Sequence, residues 1–170
     1  MGDRVIAYKF LGAGAVSPFS GFRWQPGAWV EAAPLEPCRN GIHACTVPQL
    51  PYWLAPDLWE IELDGELVVH ARKLVATRAR LLRHMHAWNV VTRYEFASDL
   101  LERTRLRFGS VPVLSGYVVD VERFRAGGRT GLAAFAAARV AELSGGPAAY
   151  ERERRRQADW LADRLGLDAD

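Results

Sequence analysis

The chain has 170 residues, 49% of them hydrophobic and 25% charged, with a formal net charge of +2. That length fits one domain with a real core, and these proportions exclude a disordered chain. No run of about 18 apolar residues is present, which excludes a membrane-spanning helix, and the near-balanced charge argues against a nucleic-acid track.

The short apolar start after Met1-Gly2-Asp3-Arg4 lacks a secretory cleavage pattern, so the expected location is cytoplasmic. The basic residues are nearly all Arg, with Lys only at Lys9 and Lys73. Together with abundant Ala, this points to a GC-rich bacterial genome. Cys38 and Cys45 are the only cysteines, too few for a disulfide framework.

In chain order, Val5 to Leu11 predicts a first strand ended by Gly12-Ala13-Gly14. Phe19 to Trp24 reads as a short extended piece, and Trp29-Val30-Glu31 as a segment pairing nearby. Pro34 and Pro37 mark a loop leading into Cys38. Pro48 to Leu54 opens as a short helix with Pro in its first turn.

Leu58 to Leu63 alternates: Trp59, Ile61 and Leu63 share one face, Glu60 and Glu62 the other. Asp64-Gly65 reads as a hairpin turn and Glu66 to His70 as the return strand. Two further strands are expected at Leu74 to Ala76 and Ala79 to His84.

Near residue 90 the composition turns from Trp, Pro, Gly and β-branched residues to Ala, Leu, Arg and Glu. Val90 to Arg107 predicts a helix. Val111 to Val121 looks extended, and Gly127-Gly128 breaks the chain. Leu132 to Leu143 and Ala148 to Leu165 predict helices separated by Gly145-Gly146-Pro147, with Glu151 to Arg156 as a solvated face. The expected architecture is α+β: one domain over 1–170, a bent or split antiparallel sheet in 1–90, and helices from 91–170 packed on it.

Four groups of residues are candidates for chemistry. Cys38, His43 and Cys45 are zinc-type ligands, but structural zinc sites need four donors and closer Cys pairs. His84 and His86, on one face of a strand, are the candidate metal pair if a metal is bound at all. A thiol of this block beside His43 is a candidate nucleophile, against the plainer reading of small buried cysteines. Glu60 and Glu62 form a same-face carboxylate pair suited to acid/base work, or a polar outer face. The aromatic density of the first half, with Phe22-Arg23-Trp24 beside Gly and Pro turns, suits either a core or a wall that stacks a planar ring, with a guanidinium for an anionic group.

These features together predict a small enzyme or enzyme-derived binding domain. Its pocket is expected from Tyr8, Arg23, Trp24, His43 and Tyr52, with a nucleotide-like or other planar anionic small molecule as ligand. His43 is the candidate acid/base or hydrogen-bond donor. The alternatives are a non-catalytic interaction protein with a structural Cys/His block, and a metal-dependent enzyme using His84 and His86. Oligomeric state is left open.

The runs Ala7 to Phe10, Gly21 to Trp24 and Cys38-Arg39-Asn40-Gly41-Ile42-His43-Ala44-Cys45, with Tyr52 and Leu58 to Gly65, resemble a family of small hypothetical proteins of actinobacteria and phages. That family carries a Cys-x-x-Gly-x-His-x-Cys block. The resemblance covers roughly residues 5–90 and implies no particular reaction. A looser resemblance runs to the ADP-ribosyltransferase fold, through Tyr8-Lys9, Gly41 to Ala44, Tyr52 and Trp59 to Leu63. It implies NAD or another nucleotide as ligand, with Tyr8 and Lys9 among the binding residues. The catalytic Glu of that fold falls at Lys73 here, and Glu66 stands nearest to it.

Overall fold

A computed structural model describes residues 4–32, 35 and 40–167. Cys38 and Arg39 lie outside the described residues, as do Pro34 and Pro37. The chain divides into two compact units, residues 1–88 and residues 89–170. The first carries an antiparallel sheet and the second is helical, so the protein is α+β, as its composition predicts.

Among the described residues the sheet has five strands: β1 (Val5–Leu11), β2 (Val30–Glu31), β3 (Ile42–Ala44), β4 (Asp57–His70) and β5 (Lys73–His84). β1, β4, β5 and β2 follow one another across the sheet, and β3 also pairs with β5. β1 lies on the first half of β4, with Ala7 opposite Ile61 and Lys9 opposite Trp59. β3 lies on the start of β5, with His43 opposite Val75. The free edges of β1 and β3 then meet. Tyr8 N–H donates to Cys45 O at 2.9 Å, and Cys45 N–H to Tyr8 O at 2.8 Å. This single bridge closes the path β1–β4–β5–β3 on itself, which removes two open edges.

Alternation along these strands builds the core. Ala7, Leu11, Ile42, Ala44, Ile61, Leu63, Leu74, Ala76, Ala79 and Leu81 form one buried cluster, against which Trp59 packs. On β4 the face of Trp59, Ile61 and Leu63 is therefore the core face, as its pattern predicts.

The structure corrects the reading of Asp64-Gly65. β4 and β5 are two long strands, and their turn is Ala71-Arg72, between the paired His70 and Lys73. At Asp64-Gly65 the strand continues through a register shift. Gly65 does take a left-handed φ of +78°, but a Cβ there would stand 2.3 Å from Thr77 Oγ1. Glycine serves here as a bulge, where Glu66 N–H turns to the Thr77 hydroxyl at 2.9 Å.

Phe19 to Trp24, expected as a short extended piece, begins in a turn at Phe19 and Ser20 and reaches a β-bridge only at Arg23. The segment after β1 doubles back through turns, with Val16 bridged to both Gly12 and Arg23. Trp24 N–H on Ala15 O, at 2.9 Å, fixes its return. The short helix is a 3₁₀ helix, Val47–Tyr52. Gln49 Nε2 donates to His70 O at 3.0 Å and so ties it to the β4–β5 turn.

The second unit comprises α1 (Val90–Phe108), α2 (Pro112–Ala126) and α3 (Thr130–Leu165) among the described residues. α2 replaces the extended segment expected over Val111 to Val121. Its β-branched residues invite a strand reading, yet Leu114, Val118 and Val121 recur at helical spacing and are the buried ones. Pro112 fits the first turn. Within α3, Gly145 and Gly146 leave helical geometry, so the expected break survives as a kink before Pro147.

The face read as solvated is partly buried. Glu153 is 6% exposed and receives Arg103 at 3.3 Å, with Arg107 and Arg156 each at 3.7 Å. Arg154 is also buried, donating to Gln157 Oε1 at 3.0 Å. Tyr150, Glu153, Arg154, Gln157 and Leu161 follow the i, i+3, i+4 spacing of an inward face. Among the described residues no helix is long and apolar enough to cross a membrane.

Candidate functional site

The first unit holds a cavity of about 730 Å³, within the usual range for small-ligand sites. Its lining comes from β1, the doubled-back loop, β2, β3 and the end of the 3₁₀ helix. Tyr8 and Lys9 on β1, Trp24, and His43 on β3 are the expected site residues that the fold brings together here.

Lys9 stands on the core face of β1, between Ala7 and Leu11. Its Nζ donates to His43 O at 2.5 Å and lies 5.3 Å from the centre of the Trp24 ring. Trp24 is held in turn by its indole N–H on Ser17 Oγ at 2.9 Å. Among the described residues no carboxylate pairs with Lys9. Burial is the leading cause of the shift that lowers the ammonium pKa to about 8. Lys9 is partly buried, and among the described residues its ammonium meets a carbonyl and a ring but no carboxylate.

His43 is half-buried. Burial, then the nearby Lys73, Lys9 and His70, lower its pKa to about 4. The imidazole is thus neutral over the physiological range. It can donate and accept hydrogen bonds but does not store a proton there. Trp53 flanks it, with ring centres 6.4 Å apart.

Cys45 is buried, with its Sγ 3.4 Å from Tyr8 O. Burial pushes its pKa up to about 12, so the thiol carries no thiolate near neutrality. The wall opposite consists of Phe22 and Trp24, edge to face at 5.4 Å. Phe19 in the lining is 92% exposed.

The other candidates lie elsewhere. Arg23 is exposed and does not line the cavity. Tyr52 also stands outside the lining, with the Arg72 guanidinium 4.8 Å over its ring; its neighbour Trp53 lines the cavity instead. Glu66 is exposed on the bulge, away from His43 and the lining residues. Glu62 is buried beneath Arg80 at 2.5 Å and Arg4 at 3.2 Å, and Glu60 meets Arg83 at 2.8 Å. These carboxylates serve ion pairs on the sheet.

His84 and His86 meet Nδ1 to Nδ1 at 2.9 Å with perpendicular rings, a hydrogen-bonded pair rather than a chelate. Among the described residues no three His, Cys, Asp or Glu side chains group to hold a metal. Sequence reading passed over Ser17, Glu31 and Asn40, which also line the cavity. Phe19 and Trp53 line it too, and both belong to the aromatic density of the first half.

No curated protein and no solved structure matches the chain. One family model matches residues 5–93, more than half of the chain. The matched stretch contains every residue lining the cavity. The chain belongs to the family described as a domain of unknown function, DUF7666.

Proposed function

We propose that the first unit is a small enzyme or enzyme-derived domain whose cavity holds a planar anionic small molecule. The observation that carries this reading is the Lys9 ammonium, partly buried at an aromatic-lined cavity of about 730 Å³ with no carboxylate partner among the described residues. A bound anion supplies the charge that Lys9 lacks. Trp24, Phe22 and Trp53 in the lining supply aromatic surface to a flat ring. Neutral His43 hydrogen-bonds the ligand without repelling an anion.

Nucleotides such as NAD belong to this ligand class, and so do smaller aromatic carboxylates. A catalytic role for Glu66 forms no part of the proposal, because that carboxylate is exposed away from the cavity.

Thermal unfolding of the full chain against NAD, AMP, nicotinate and benzoate tests this reading. A ligand present at about 100 times its Kd adds roughly 3 kcal/mol, or about 5–10 °C in Tm for a chain of this size. Lys9→Met removes the shift for anionic ligands. A flat response across the panel refutes the reading.

A further inference from the structure

We propose that Lys9 is an imine-forming residue, and that the ligand it takes is a planar anion bearing an aldehyde or ketone. This inference rests on the ligand-site reading and adds a substrate class and a covalent step to it.

A lysine forms imines when its amine is unprotonated, reachable from a cavity, and sheltered from water. Lys9 is reachable from the cavity and partly withdrawn from water, and a fraction of its amine is free base near neutrality. Its side chain lines the cavity beside the Trp24 ring and the His43 carbonyl. With its pKa at about 8, roughly a tenth of the amine is free base at pH 7, on the order of 300 times the fraction for an unperturbed lysine. The His43 carbonyl accepts one N–H of the amine and holds the nitrogen in place. An Arg at this position would remain protonated, and an exposed Lys would be hydrated.

The step balances without a further reagent. The Nζ lone pair attacks the carbonyl carbon, the C=O π pair moves to oxygen, and a proton passes from the nitrogen to that oxygen to give a neutral carbinolamine. The nitrogen lone pair then forms the C=N bond as the C–O bond breaks, and the hydroxyl takes a proton from solvent and leaves as water, giving the protonated imine. Neutral His43 lines the same cavity and serves as a hydrogen-bond partner for the hydroxyl group. The anionic group of the ligand is left to offset the protonated imine. Cys45 does not compete for the carbonyl, because its buried thiol is not ionised.

Lys9 and Lys73 are the only lysines, so peptide mapping has three amines to separate, these two and the α-amino group, whose ordinary pKa of about 8 makes it reactive at neutral pH. The full chain is incubated at neutral pH with 4-formylbenzoate and cyanoborohydride, which reduces an imine to a stable secondary amine. Modified positions are read by intact mass and peptide mapping. Lys73, outside the cavity at the start of β5, is the internal reference.

Labelling of Lys9 is expected at least tenfold faster than that of Lys73. Benzoate, which lacks the aldehyde, is expected to slow Lys9 alone. Lys9→Arg abolishes the fast site and Lys73→Arg leaves it. The comparison within the unmodified chain holds even if a variant folds poorly. If benzoate raises Tm while Lys9 labels no faster than Lys73, the imine step is wrong and the ligand site stands. If Lys9 labels fast but benzoate neither protects it nor raises Tm, the amine is reactive without a seated anion, and both readings fall. If neither fast labelling nor a thermal shift is seen, both fall as well.

Discussion

Lys9→Met tests the energetic claim beneath the site. The unfolded chain holds this lysine at its ordinary pKa of 10.5 and the folded chain at about 8. The difference corresponds to a folding penalty on the order of 3 kcal/mol for the charged form. Between these values the unfolded state binds the extra proton, so stability rises with pH from about 8 towards 10.5. Below pH 8 the penalty is present in full. Methionine fills similar volume without charge, but it leaves His43 O without the lysine donor, a loss of about 1 kcal/mol. The net expectation is a gain of about 2 kcal/mol at pH 7.

The pH dependence separates this from a repacking effect. From pH 7 to pH 9 the wild type gains roughly 1 kcal/mol on the Met variant, as the native lysine discharges. Above pH 9 Cys45 acts with the opposite sign, because it ionises when unfolded and stays protonated to about 12 when folded. Both chains share that fall, so the difference between them still reports Lys9. Urea titration followed by Trp fluorescence is the assay, since Trp24, Trp29, Trp53, Trp59 and Trp88 all lie in the first unit. A Met variant less stable than wild type at pH 7, or a difference that does not change between pH 7 and 9, refutes the claim of an enclosed ammonium.

His43 acts at the acid end. Its folded pKa is about 4 against 6.5 unfolded, so its contribution is complete above pH 6.5 and is lost as the pH falls towards 4. His43→Asn should flatten that part of the stability profile, as read by urea midpoints between pH 4 and 7. Gly41→Ala should cost roughly 2–4 kcal/mol, because Gly41 sits at φ +139° and a Cβ would lie 2.4 Å from Val75 Cγ1. Adding Val75→Ala should recover the clash but not the strain, which a denaturation series on the double variant resolves. Asn89→Ala should cost about 1 kcal/mol, since Asn89 Oδ1 accepts from Val91 N–H at 2.9 Å and Thr92 N–H at 3.2 Å at the start of α1. Helical circular dichroism during unfolding checks it.

The strands and helices were legible where a single period ran unbroken. β1, the core face of β4 over Trp59, Ile61 and Leu63, and α1 needed only local pattern. The errors share one cause, a local preference overruled by packing. Asp64-Gly65 carries hairpin chemistry, but the alternation resumes beyond it, and the left-handed glycine serves a bulge inside a longer strand. The valines of α2 favour a strand until Leu114, Val118 and Val121 are counted at helical spacing. Glu153 and Arg154 look like surface residues because their partners come from elsewhere, Arg103 among them.

Of the candidate site, Tyr8, Lys9, Trp24 and His43 were named from sequence and do line one cavity. Arg23, Tyr52 and Glu66 do not. What no pattern displays is the enclosure of Lys9, which depends on the meeting of segments far apart in the chain.

That enclosure changes the meaning of the Gly41 to Cys45 stretch. Its thiol and imidazole suggest chemistry, yet Cys45 is protonated and buried, and the backbone does the placing. Gly41, with no side chain, lets β3 approach Val75. Cys45 closes β3 onto β1 through its own N–H and C=O. The closure sets the His43 carbonyl within reach of Lys9 Nζ, while the doubled-back loop brings Trp24 against the same ammonium. A side chain that would be solvated on an open sheet is thereby desolvated by closing one. The Gly41 to Cys45 stretch is then architecture for an amine supplied by β1, and the proposed reactive atom is Lys9 Nζ rather than the Cys45 sulfur.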